Sequence, residues 1–204
     1  MKSFKQFFTE QVTSKKAIFA YGRFNPPTIG HEKLILIVSK LADKHNAVGF
    51  IIPSHSTEPR KKNPLNFEQK ANILKYVLPK NLQLGSFGTT FINVLKELQS
   101  RGFTDVIQVA GSDRQTEFLG LVNKYNGKQD PKTGNVDFNF NSYDVVSSGE
   151  RDPDSDSIEG MSASKLRMLA AENNFDRFAK GLPSLVPLDV KKQTFLTIRK
   201  TVTE

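Results

Sequence analysis

Apolar residues fall into two habits along this chain. Short continuous runs recur as AIFAY at 17–21, VGFII at 48–52 and TDVIQVA at 104–110. Runs of that length, bounded by glycine and polar turns, predict strands buried on both faces. Between them the spacing becomes helical. Leu34, Ile35, Ile37, Val38 and Leu41 predict a helix from Gly30 to about Lys44. NFEQKANILKYVL (66–78) predicts a second, with Asn66 as its N-cap, and residues 89–101 a third, closed by Gly102. A weak strand is expected near Leu82–Leu84 and a helix over roughly 114–125. VDFNFNSYDVV (136–146) alternates apolar and polar positions, as a half-buried strand does. Helices are then expected at 162–172, 175–182 and 187–203, the last of them basic. Polar excursions occupy 54–65, 127–135 and 147–160. This alternation predicts an α/β protein, a Rossmann-like doubly wound parallel sheet with C-terminal helices.

In such a sheet a ligand lies beyond the carboxyl ends of the strands. Three segments meet that description: the loop after 17–21, the turn after 104–110, and the approach to Ser162. The first, Gly22-Arg23-Phe24-Asn25-Pro26-Pro27-Thr28-Ile29-Gly30-His31, runs from a strand into a helix. The prolines forbid helix before Thr28. A helix start offers unpaired N–H groups and a positive dipole end, which suit phosphate. Gly22 and Gly30 permit close backbone approach, Arg23 supplies a forked cation, and His31 can donate to phosphate oxygens as charge develops. Thr28 can cap the helix or meet phosphate. In the third segment, Ser162 can cap a helix while Lys165 and Arg167 place two cations in its first turns, suited to the β and γ phosphates of a triphosphate.

With 204 residues, the chain can bury roughly 70% of its unfolded surface in one domain without a metal or disulfide staple. The expected division is an amphipathic helix or removable leader at 1–14, a catalytic domain at 15–182 and a basic helix at 183–204 packed on it. Cysteine is absent, which excludes disulfides, thiolate zinc sites and cysteine nucleophiles. No apolar run reaches the 18–20 residues of a spanning helix, and no membrane partner is expected. Lys+Arg exceeds Asp+Glu by 29 to 21, a net charge of +8 that favours anionic partners such as nucleotides or nucleic acid.

The first motif, with Gly22, Phe24, Pro26, Thr28, Gly30 and His31, resembles the signature of the nucleotidyltransferase superfamily related to class I aminoacyl-tRNA synthetases. Thr28-Ile29-Gly30-His31 looks like the phosphopantetheine adenylyltransferase version, and Gly22-Arg23-Phe24 like that of nicotinamide-mononucleotide adenylyltransferases. Met161-Ser162-Ala163-Ser164-Lys165-Leu166-Arg167 resembles the superfamily's second signature. The resemblance implies the HUP-type nucleotidyltransferase fold and transfer of a nucleoside monophosphate, AMP from ATP above all, to a phosphorylated small molecule such as nicotinamide mononucleotide, with Mg²⁺ accompanying the nucleotide. Cytidylyl transfer and phosphopantetheine adenylyl transfer are the alternatives within the class. It implies catalytic roles for His31, Thr28, Lys165 and Arg167. Nucleotide binding falls to Gly22, Arg23, Phe24, Asn25, Gly30, Gly111, Asp113, Ser162 and Ser164, and second-substrate binding to Ser54, Lys61 and Lys62. No protein metal ligand is expected.

Glu150, Asp152, Asp154, Asp156 and Glu159 suggest a mobile acidic lid before Ser162. The opening MKSFKQFFTE resembles leaders of proteins packaged in tailed-bacteriophage heads, where a protease would cut after Glu10. The location expected is cytoplasmic, in a host cytoplasm or a phage head if the source is viral. A packaged protein that binds nucleotide or nucleic acid without catalysis is the reading from another class.

Overall fold

The structure, a computed structural model, describes residues 15–149 and 161–204. Five strands, β1 (Lys16–Gly22), β2 (Val48–Pro53), β3 (Leu82–Leu84), β4 (Asp105–Ala110) and β5 (Ser142–Ser147), form one sheet in the order β3-β2-β1-β4-β5. Every pairing is parallel. The helices are α1 (Ile29–Lys44), α2 (Phe67–Leu74), α3 (Phe91–Ser100), α4 (Gln115–Tyr125), α5 (Ala163–Ala171), α6 (Phe175–Gly181) and α7 (Leu188–Thr203). The expected doubly wound α/β sheet with C-terminal helices is present. Its order reverses between β1 and β4, and in sheets of this kind ligands bind beyond the carboxyl ends of the strands at such a switch point.

The continuous apolar run of β1 reflects helices on both faces. Ala17 and Phe19 pack with α3 and α4 through Val94, Leu95, Leu98 and Val122. Ile18 and Ala20 pack on the other face with Ile35, Val38 and Ala42 of α1 and Leu74 of α2. A third cluster joins Leu65 and Ile73 to the C-terminal helices through Leu166, Leu169, Phe178, Val190, Phe195 and Ile198. Gly49 of β2 lets α1 and β3 close on the sheet. A Cβ there would lie 2.2 Å from Leu82 Cδ2 and 3.1 Å from Ala42 Cβ.

Two expected elements end differently. The second helix stops at Leu74, and Tyr76 and Val77 continue in tighter i→i−3 bonds to Ile73 and Leu74; Pro79, two residues beyond Val77, disfavours helix just before it. The alternating segment 136–146 is a strand only from Ser142. Phe138 and Phe140 are buried, as the alternation implied. Around them, however, backbone groups bond to side-chain amides. Asn126 bonds both the N–H and C=O of Phe140, and Gln99 does the same for Asn139. Side-chain amides thus replace a neighbouring strand. The leader reading of residues 1–14 and the acidic segment 150–160 lie outside the described residues. No described helix is long and apolar enough to cross a membrane.

Candidate active site

The loop leaving β1 is held from three directions. Ser54, just past β2, donates its N–H to Gly22 O at 2.8 Å. The Asn25 side chain, 1% exposed, clamps the segment before α2: Nδ2 donates to Leu65 O at 2.9 Å and Oδ1 accepts from Leu65 N at 3.0 Å. The backbone oxygen of Asn25 accepts from Arg167 Nη1 of α5 at 2.7 Å. Between these anchors Phe24 adopts φ +47, a left-handed conformation that costs a non-glycine residue about 1 kcal/mol. Burial of its ring, 4.6 Å from the His31 ring, holds it there.

Thr28 caps α1, and His31 lies three residues on, in the first turn. Thr28 donates its backbone N–H to His31 Nδ1 at 2.9 Å, and its hydroxyl lies 2.9 Å from the same nitrogen. A backbone N–H can only donate, so Nδ1 is the acceptor and the neutral ring carries its proton on Nε2. The capping geometry therefore selects the tautomer. Gly30 also sits in this turn.

Ser162 caps α5, accepting from Lys165 N at 3.1 Å. Ser164 Oγ accepts from Arg167 Nη2 at 2.9 Å. The Arg167 guanidinium is thus spread between its own helix and a loop 142 positions earlier in the chain. Burial, then the nearby Arg23 cation, lowers its pKa from the ordinary value. Among the described residues no carboxylate pairs with Arg167. Two neighbouring guanidinium groups are suited to a polyanion.

This geometry coincides with a family match: the model described as cytidylyltransferase-like covers residues 19–168, from β1 through Arg167. The chain belongs to that family. It is accordingly a nucleotidyltransferase. The fold of this cytidylyltransferase-like protein is shared with Plasmodium falciparum nicotinic acid mononucleotide adenylyltransferase. The complex of that enzyme with NaAD aligns with a TM-score of 0.61 and 16% identity, covering 94% of this chain and 100% of that chain. Its complex with APC gives 0.59 and 15%, with 94% and 100% covered. A protein assigned as a nicotinate-nucleotide adenylyltransferase from Vibrio parahaemolyticus gives 0.53 and 14%, with 89% and 99% covered. No curated protein matches the chain in sequence.

The remaining sequence-predicted residues of this cytidylyltransferase-like protein lie on the segments that follow β2 and β4. Gly111 and Asp113 follow β4 in a short 3-10 turn, Ser112–Arg114, and a Cβ on Gly111 would meet Asp113 Oδ1 at 2.5 Å. Lys61 and Lys62 are exposed on a second 3-10 turn, Arg60–Lys62. Ser54 is buried, and its hydroxyl is unpartnered. Sequence reasoning passed over two features. Tyr21, at the end of β1, packs on Phe91, which packs on Phe118 beneath the Arg114 guanidinium. Lys70 of α2 is 0% exposed. Its spacing from Ile73, Leu74 and Val77 places it on the apolar face, which is the signal that could have found it.

Proposed function

We propose that the protein transfers the adenylyl group of ATP to a phosphorylated small molecule such as nicotinamide mononucleotide, releasing pyrophosphate. The observation that carries this reading is the Arg167–Asn25 bond, which brings the two motifs to one crevice at the sheet's switch point. The α-phosphate lies over the start of α1, where His31 Nε2–H donates to an oxygen that gains charge in the transition state. Thr28 orients that imidazole through Nδ1, the capping role that its sequence position allowed beside a contact with phosphate. Arg167, Arg23 and Lys165, with the first N–H groups of α5 behind Ser162 and Ser164, receive the β and γ phosphates as pyrophosphate departs. Gly22, Phe24 and Asn25 shape the loop around the nucleotide, and Gly111 and Asp113 form the opposite rim. The acceptor enters from the side of Ser54, Lys61 and Lys62. Catalysis is in-line positioning with electrostatic stabilisation.

In this reading Mg²⁺ accompanies the nucleotide. Among the described residues no group of three or more histidine, cysteine or carboxylate side chains could hold a metal. Nothing among the described residues thus forms a protein-held magnesium site, and in this reading the ion arrives with the substrate, chelated by its phosphates as MgATP.

Pyrophosphate release, measured for ATP and CTP against nicotinamide mononucleotide, nicotinic acid mononucleotide and phosphopantetheine, tests the reading. Release with ATP and a mononucleotide is expected. Release only with CTP reassigns the base. No release with any pair, together with salt-sensitive binding to DNA, refutes transfer in favour of a nucleic-acid-binding role. His31→Ala is expected to lower turnover at least about 100-fold.

A further inference from the structure

Lys70 is a cation in the wrong place for a solvated helix face. Its side chain is 0% exposed, and among the described residues no carboxylate pairs with it. Its ammonium donates to the backbone oxygen of Ser54. A buried lysine without a counter-charge is costly, and burial lowers its pKa to about 8. An unbranched apolar residue such as methionine would fill the same space without that cost.

What the lysine holds gives the charge a role. Ser54 N–H bonds Gly22 O, the first residue of the phosphate loop. Leu65, immediately before the cap of α2, is clamped by Asn25 of the same loop. Helix α2 is therefore tied to both ends of the stretch Gly22–Asn25, through Leu65 at its start and through Lys70 in its second turn. His55, the next residue after Ser54, stacks on Phe67 with centroids 4.3 Å apart at 13°, and its Nε2 lies 3.0 Å from Ser86 Oγ.

We infer that Lys70 is a positioning residue: its buried ammonium locks the exit of β2 onto α2 and, through Ser54 and Gly22, sets the loop that presents His31 to the nucleotide. This rests on the reading of that loop as the nucleotide site. The role accounts for a charge where the core alone would favour an apolar side chain.

The chain has three histidines, which makes the test direct. His31 lies in the loop's helix, His55 beside the tie, and His45 is exposed past the end of α1. Lys70→Met is compared with wild type by thermal unfolding, by calorimetric binding of a non-hydrolysable ATP analogue, and by NMR of the three imidazoles. The expected result is unchanged or higher thermal stability, analogue affinity weaker by about tenfold, and a displaced His31 signal with His45 unmoved. The pKa of His55, held down by burial and by the Lys70 charge, is expected to rise. Affinity within twofold of wild type with His31 unmoved overturns the inference. So does an affinity loss that accompanies a large fall in melting temperature, which marks a merely structural residue. If Lys70→Met fails to fold, Lys70→Arg keeps the cation. It is expected to retain affinity within about threefold, and a tenfold loss with His31 unmoved overturns the tie. Failure of the wild type to bind the analogue would refute the nucleotide site itself, while the His31 displacement would still decide whether Lys70 sets the loop.

Discussion

Replacing Asn25 with alanine removes one side chain and strands two backbone groups. The Asn25 amide is 1% exposed and bonds both the N–H and the C=O of Leu65, itself 1% exposed. A buried backbone group left without a partner costs about 1–3 kcal/mol, and water entering the vacated space recovers part of that for at least one of the two. The expected loss is therefore about 2–4 kcal/mol. For a chain of this size that lowers the melting temperature by roughly 5–12 °C. The bond from Arg167 goes to the Asn25 backbone oxygen, so the substitution leaves that partner in place and isolates the Leu65 clamp. Urea denaturation followed by circular dichroism, with the slope against urea checked for constancy, measures the effect. A loss below about 0.5 kcal/mol, the range of an ordinary surface substitution, would show that the clamp does not hold the loop and would refute the reasoning.

Three further outcomes are expected. Gly49→Ala pushes a methyl against Leu82 and Ala42, and a loss of about 1–3 kcal/mol in the same denaturation assay is expected; Leu82→Ala added to it should restore part. Nitrogen-15 NMR of the His31 ring should show the proton on Nε2 in the neutral form, and Nδ1–H as the main tautomer would contradict the Thr28 contact. Lys70→Met should gain about 1–2 kcal/mol at pH 7, the balance of about 3 for relieving a pKa lowered from 10.5 to about 8 and about 1 for the lost bond to Ser54. The sign follows from proton uptake. The unfolded chain holds the Lys70 proton more tightly than the folded one, so the wild type recovers stability as pH rises from about 8 towards 10.5 and the advantage of methionine shrinks over that window. A pH-independent advantage in thermal melts would show that Lys70 is not a buried charge.

The sheet was legible because β1, β2 and β4 are buried on both faces and read as unbroken apolar runs, and even the three-residue β3 was visible. The segment 136–140 was not, because alternation reports which side chains bury and is silent on what bonds the backbone. Asn126 and Gln99 satisfy there what a strand would have satisfied. The two motifs were local and could be read residue by residue. Their junction, Arg167 on the carbonyl of Asn25, depends on a fold-level contact and leaves no mark in either segment. Lys70 was hidden differently: a lysine in a helical stretch reads as solvated until burial shows otherwise.

The contact between Thr28 and His31 carries a chemical corollary. The basic lone pair of this imidazole faces its own helix cap, so in the neutral ring Nε2 carries the proton and Nδ1 is not available to abstract one. A nucleophile arriving there receives no help in ionising from His31. Species already anionic at neutral pH, phosphate monoesters above all, then react readily, while free alcohols need a separate base. In the proposed transfer, the orientation of a single ring thus narrows the choice of acceptor.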